Sequence, residues 1–418
     1  MRRMKHPVLS AIGLCLVCAT SFSADWPCWR GPQSNGISRD VNAPLHWSPE
    51  HGIRWKAEIP GAGYCCPIVM RGQAILTSST GFHDEELHIL SYRVSDGELA
   101  WDTRLFGVRT ARSYSRPPRR GQAAPSIAAR GDRIVAVFGT GEMACVDLEG
   151  RPLWFRSLSE DYGPMTNEYG FASTPVLDEE DGYLLVDQDG NSYLFSFDLE
   201  TGRTRWQTPR PDTGDNWSTP ALCDVGIARL LVCSGSEYIR AYDAETGKPC
   251  GKVDGIAKLC CPTPVVCEDS IIVTSGPGGN ATAVRPESML KGTTGEKILW
   301  RSVRGGGFIP SAIVVNGLYY HANYTGVLTC LSASTGNSVT QKRLGGRAYA
   351  SPVCSGGRLY FTDLTGKTTV VRADESLETL AENELGEAVA ASAAIGDGLL
   401  FIRGDRHLFC IEGREDKK

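Results

Sequence analysis

The sequence predicts an all-β fold: an eight-bladed β-propeller of four-stranded blades, its ring closed by an N-terminal strand that completes the C-terminal blade. Three observations predict it. A strand–turn–strand phrase, Ser196-Phe-Asp-Leu-Glu-Thr-Gly-Arg-Thr-Arg-Trp206, recurs along the chain. Recurrence of this kind marks arrays in which each unit buries its face on the next. Eight small-residue motifs, each opening an apolar strand, stand 40 to 58 residues apart. The last unit stops one strand short, while an isolated strand, Ile53 to Ile59, precedes the first unit. A ring that joins these two pieces hides sheet edges that would otherwise invite aggregation.

Taken in order, residues 1–24 read as a signal peptide. Arg2, Arg3 and Lys5 form its charged start, and Val8 to Cys18 its apolar run, which is too short to cross a bilayer. Cys15 follows Leu14 and Cys18 follows Val17, so neither suits a lipid-modified cysteine. The expected location is therefore periplasmic or secreted, without a transmembrane span. Removal of this segment leaves 40 basic against 48 acidic residues, a net charge of −8 compared with −5 for the whole chain. An acidic protein is poorly suited to neutralising phosphates, which argues against nucleic acid as a partner. Thirteen cysteines remain, an odd number for an oxidising compartment, and the one CxxC, Cys15 to Cys18, lies in the signal.

Residues 25–46 form an N-terminal lasso in which Trp26 and Trp29 are expected to pack on the body. The propeller spans 47–413, with a polar tail at 414–418. Its opening motifs are Cys66-Pro67, Ala124-Pro125, Thr174-Pro175, Thr219-Pro220, Thr263-Pro264, Ser311-Ala312, Ser351-Pro352 and Ser392-Ala393. Between them stands the acidic-turn-Gly phrase, whose glycine supplies the positive φ of a tight turn. Its closing tryptophan, as at Trp206, is free to pack between neighbouring units. Cys145, Cys330 and Cys410 share a column with Ser91, Ser196 and Ala241, which reads as a packing constraint on small side chains.

The phrase resembles the repeat of pyrroloquinoline-quinone (PQQ) type propellers, Ala241-Tyr-Asp-Ala-Glu-Thr-Gly247 being its nearest copy, with Gly251 at the tryptophan position. That family includes quinoprotein alcohol dehydrogenases and BamB-like lipoproteins of outer-membrane assembly. The Trp26 to Pro32 opening and Trp217-Ser-Thr-Pro220 are similar to a secreted, non-dehydrogenase branch. The dehydrogenase likeness implies a vicinal disulfide at Cys65-Cys66 beside a cofactor. Against this, position 66 falls in the column of small residues that begins each first strand, and Cys260-Cys261 leaves the same two alternatives.

Aromatics precede most opening motifs, and Tyr64, Phe171, Trp217, Phe308 and Tyr349, with Cys65, Cys66 and Glu168, are the expected collar of a funnel mouth. Arg112, Arg116, Arg119 and Arg120 form a cationic loop suited to an anion, if they are not simply solvated. Asp187-Gln-Asp189-Gly-Asn191 mimics the start of a calcium loop but also reads as a hairpin turn. The seven histidines do not cluster along the chain, so no metal ligand set or histidine triad is expected. The sequence thus points to a monomeric binding or scaffold protein for a protein or polysaccharide, with no catalytic residue, metal or cofactor expected. The alternative, a quinoprotein oxidoreductase of alcohols or sugars, would require PQQ and calcium.

Overall fold

The computed structural model describes residues 25–107, 122–167, 169–254, 256–276, 280–290, 297–303 and 306–413. The signal segment, Arg112, Arg116, Arg119, Arg120, Glu168 and the tail lie outside them. Eight four-stranded antiparallel sheets form the ring. The first blade runs outward from Ile68–Met70 through Gln73–Thr80 and Glu86–Arg93 to Leu99–Phe106. The eighth consists of Ala394–Gly396, Leu399–Arg403, His407–Ile411 and, as its outer strand, Ile53–Glu58. Trp55 pairs with Cys410 and Ala57 with Leu408, so the two chain ends close the ring as the sequence predicts.

The tryptophan phrase explains how neighbouring blades hold together. Trp55 lies on Gly97, Trp101 on Gly150, Trp154 on Gly202, Trp206 on Gly247 and Trp300 on Gly336, each glycine belonging to the next blade. A Cβ on Gly247 would come 2.3 Å from the Trp206 ring, and φ there is +69°. Glycine is therefore demanded twice, by the turn and by the indole. Each indole N–H also donates to the next blade, for example Trp206 to the Ala244 carbonyl at 3.1 Å and Trp55 to that of Val94 at 2.8 Å. The small-residue column is the cross-strand partner of these rings: Ser91 faces Trp101, Cys145 faces Trp154, Ser196 faces Trp206 and Cys410 faces Trp55. In the fourth blade Gly251 replaces the tryptophan because a short helical turn, Pro286–Met289, fills that seam; a Cβ would lie 2.4 Å from the Met289 carbonyl oxygen.

Up-and-down connectivity sorts the loops onto two faces. The loops that lead into the innermost strands share one face with the hairpins between second and third strands. Backbone bonds join the two sets, as from Gly139 to Gln122, Asn216 to Asp187 and Leu364 to Arg347. This face is the mouth.

The N-terminal lasso crosses the opposite face. Trp26 exchanges backbone hydrogen bonds with Val69 of the first blade, and Ala129 of the second donates to Pro27. Across the axis, Arg30 donates to the Ala312 carbonyl of the sixth blade, Cys354 of the seventh donates to Gly36, and Gly398 of the eighth donates to the Asp40 carboxylate. Trp26 is 1% exposed and Arg30 3%. Trp29 is only half-buried, so of the two tryptophans expected to pack, Trp26 carries the contact.

Candidate functional site at the funnel mouth

The first strands converge on a girdle of side-chain hydroxyls. Ser126 Oγ accepts from the Cys66 amide at 3.0 Å, Thr174 Oγ1 from Ser126 at 3.2 Å, and Thr219 Oγ1 from Thr174 at 3.0 Å. Further round, Ser311 Oγ accepts from Thr263, Ser351 Oγ from Ser311, and Ser392 Oγ from Ser351. The Cys66 thiol closes the sequence by accepting from the Ser392 amide at 3.1 Å. Each bond satisfies a buried amide of one blade with the side chain of the next, so the girdle links blade to blade at the axis. The second blade contributes Ser126, not Ala124 as its opening motif suggests, because here the hydroxyl follows the proline instead of preceding it.

This geometry places Cys66 in a structural role. Its thiol is buried and pushed up to about 11, chiefly by burial. The Cys65 thiol turns elsewhere, accepting from Thr77 and donating to the Cys66 carbonyl. All thirteen described cysteines are free, Cys260 and Cys261 included.

Above the girdle the mouth is aromatic on two sides. Trp217 donates its indole N–H to the Gly170 carbonyl at 2.7 Å and meets Tyr169 edge-on at 5.8 Å. Phe308, Tyr324 and Tyr349 form the second group: Tyr324 and Tyr349 stack with ring centroids 5.9 Å apart, and Phe308 stands edge-on to Tyr324 at 6.3 Å. Tyr64 is half-buried, and its amide donates to Ala123. Phe171 departs from the expected collar. It is 2% exposed, within a core cluster that includes Leu158, Met165 and Tyr193. Cys65 and Cys66 are likewise buried below the mouth. The sequence reading missed Tyr169 and Tyr324. The latter lies in a hairpin of the sixth blade and joins the collar only because hairpins and leading loops share a face.

Behind Trp217 the Asp187 to Asn191 turn is committed to structure. Arg210 forks both oxygens of Asp187 at 2.7 and 2.9 Å, and Thr213 and Asn216 also donate to this carboxylate. Arg210 Nη1 donates to Tyr242, and Gln188 Oε1 accepts from the Thr166 amide. A buried charge pair this fully hydrogen-bonded is held in one geometry. Asp187 is thus taken by a guanidinium and withdrawn from any calcium. Asn216 is also fixed, its Oδ1 accepting from the Cys260 amide.

One histidine constellation does form, though the chain order gives no sign of it. In the first blade, His88 Nδ1 lies 3.0 Å from Asp102 and its Nε2 2.8 Å from Thr80 Oγ1. Thr80 Oγ1 also lies 2.9 Å from the Glu86 carboxylate. The arrangement ties three strands together.

These residues can be tested against PQQ with calcium. Such a site needs converging acids and amides at the mouth. Among the described residues no three His, Cys, Asp or Glu side chains are grouped to hold a metal. Asp187 is held by Arg210 and Asn216 by the Cys260 amide, and Glu168 lies outside the described residues.

Comparisons with known proteins agree on the fold. BamB from Moraxella catarrhalis superposes with a TM-score of 0.65 at 13% identity, covering 88% of this chain and 98% of that one. A europium-containing methanol dehydrogenase gives 0.71 at 10% identity, with 92% and 90% covered. Quinohemoprotein alcohol dehydrogenase from Comamonas testosteroni gives 0.70 at 11%, with 94% and 82% covered. No curated protein matches the sequence. Residues 45–217 and 235–405, most of the chain, match the family described as outer membrane protein assembly factor BamB, and the protein belongs to that PQQ-like propeller family.

Proposed function

We propose that this protein is an exported binding module that presents its funnel mouth to a protein or polysaccharide partner and carries out no chemistry on it. The single observation behind this is the division between the faces. The lasso crosses the axis on one side, while half-buried and exposed aromatic rings line the other, where no three His, Cys, Asp or Glu side chains among the described residues are grouped to hold a metal. Aromatic side chains with polar tips suit a ligand that is partly apolar and partly hydrated. The quinoprotein alternative draws on the shared fold alone, since fold does not fix function.

Pull-down from an extract and a glycan array, run with the wild-type protein and with a Trp217→Ala/Tyr349→Ala double variant, test the proposal. Retention by the wild type and loss in the correctly folded variant is the expected result. Alcohol-dependent dye reduction after addition of PQQ and Ca²⁺ would overturn the non-catalytic half. For export, the expected outcome is a mature N-terminus near Asp25 in protein recovered outside the cytoplasm, read by N-terminal sequencing.

A further inference from the structure

Where the sixth and seventh blades meet at the mouth, the surface has a more specific chemistry than docking alone requires. The Tyr324 and Tyr349 rings stack 22° from parallel with their centroids 5.9 Å apart, and both carry hydroxyl tips. Arg347 donates to the Tyr324 hydroxyl at 2.8 Å, its guanidinium 5.6 Å from that ring's centroid. Arg343, at the end of the outer strand Ser338–Arg343, donates to the carbonyls of Thr325 and Gly345. Both arginines are exposed. Some exposed arginines, such as Arg151, Arg229 and Arg372, hold carboxylates, while others, such as Arg54, Arg71 and Arg203, do not among the described residues. Arg343 and Arg347 have none within ion-pair distance among the described residues. The neighbouring acid, Asp363, spends one oxygen on the Gly346 amide and the other on Thr365 and Lys367. On a chain of net charge −5, two guanidiniums without counter-ions beside an aromatic platform form a local site of opposite sign.

Building on the binding-module proposal, we propose that this patch is a subsite for a uronate residue of an anionic polysaccharide. The C–H face of the pyranose stacks on the outer face of Tyr349, which an acidic peptide backbone has no equivalent face to match. The planar carboxylate takes the fork of Arg347, a geometry that lysine or a neutral donor does not reproduce. Arg343 is placed for a second charge along the polymer.

The test is calorimetric titration of the whole protein with oligogalacturonide, its methyl-esterified counterpart and poly-glutamate. Oligogalacturonide is expected to bind, with affinity falling as salt rises. Arg347→Gln is expected to weaken it about tenfold, and Tyr349→Leu by a similar factor, with unchanged melting temperatures. Equal binding of the esterified polymer, tighter binding of poly-glutamate, or no binding of oligogalacturonide by the wild type would each overturn the uronate subsite. A partner lost on Trp217→Ala/Tyr349→Ala but indifferent to Arg347→Gln would leave the binding module standing without it.

Discussion

The two faces of the ring solve opposite problems with the same polypeptide. On the lasso face, polar groups are used up internally: backbone bonds tie residues 26–38 to three blades, the Arg30 side chain reaches a fourth, and its guanidinium is buried, its pKa lowered to about 10 by burial. On the mouth face, rings stay half-buried and Arg343 and Arg347 keep donors for something outside the chain. The contrast teaches that stability and recognition sit at opposite ends of one axis. Mutations should therefore separate them.

The sharpest way to break that comparison is to remove the closure. Truncation of residues 25–58 strips the lasso and leaves His407–Ile411 as an exposed edge. An unpaired edge strand templates aggregation. The expected outcome is loss of a cooperative thermal transition, or a fall in Tm on the order of 10 °C, with oligomers in size-exclusion chromatography. An unchanged transition would mean that the ring does not depend on its ends.

Next in size is Trp26→Ala. A tryptophan that is 1% exposed and packed on Gly31 should cost about 3–5 kcal/mol in denaturant unfolding. Tyr349→Ala at the half-buried mouth should cost under about 1 kcal/mol while abolishing retention of the partner. Equal destabilisation by the two would erase the division of labour.

A third effect is pH-dependent and belongs to the interior between the faces. His321 is fully buried beside Tyr319, and burial lowers its pKa to about 4. The unfolded chain takes up a proton near pH 6.5 that the folded state refuses, so this contribution to stability is complete above about 6.5. It declines as pH falls from there and is gone below about 4. Across that window the loss should approach about 3 kcal/mol, and His321→Asn should flatten the slope. Urea unfolding at pH 7, 5.5 and 4.5 measures it.

The blade count was legible in the sequence because the repeat encodes a contact. Gly247 is needed under Trp206, so the glycine of one unit and the tryptophan of the previous one are both written into the chain. Ring closure was legible for the same reason, as Ile53 to Ile59 had no other partner. The mouth was less legible, because its members are joined by a face and not by spacing. Tyr169 and Phe171 stand two residues apart, yet one is 56% exposed and the other 2%. Thr80, His88 and Asp102 form a hydrogen-bonded row only once three strands are in register. The Asp187 turn looked like a calcium loop because the sequence cannot show Arg210 reaching into it.

The smallest expected effect tests the girdle, the level at which the two faces meet. Cys66 is the one thiol in a series of hydroxyls, and what its position demands is a small acceptor for the Ser392 amide. Cys66→Ser supplies the same acceptor and should change unfolding free energy by no more than about 1 kcal/mol. Cys66→Ala removes the acceptor and leaves a buried amide unsatisfied, which should cost about 1–3 kcal/mol. Serine tolerated and alanine not would establish that the residue is held for hydrogen bonding at the axis. If serine were as damaging as alanine, sulfur itself would be required there, and Cys66 would have to be reassigned from the structural girdle to the chemistry of the mouth.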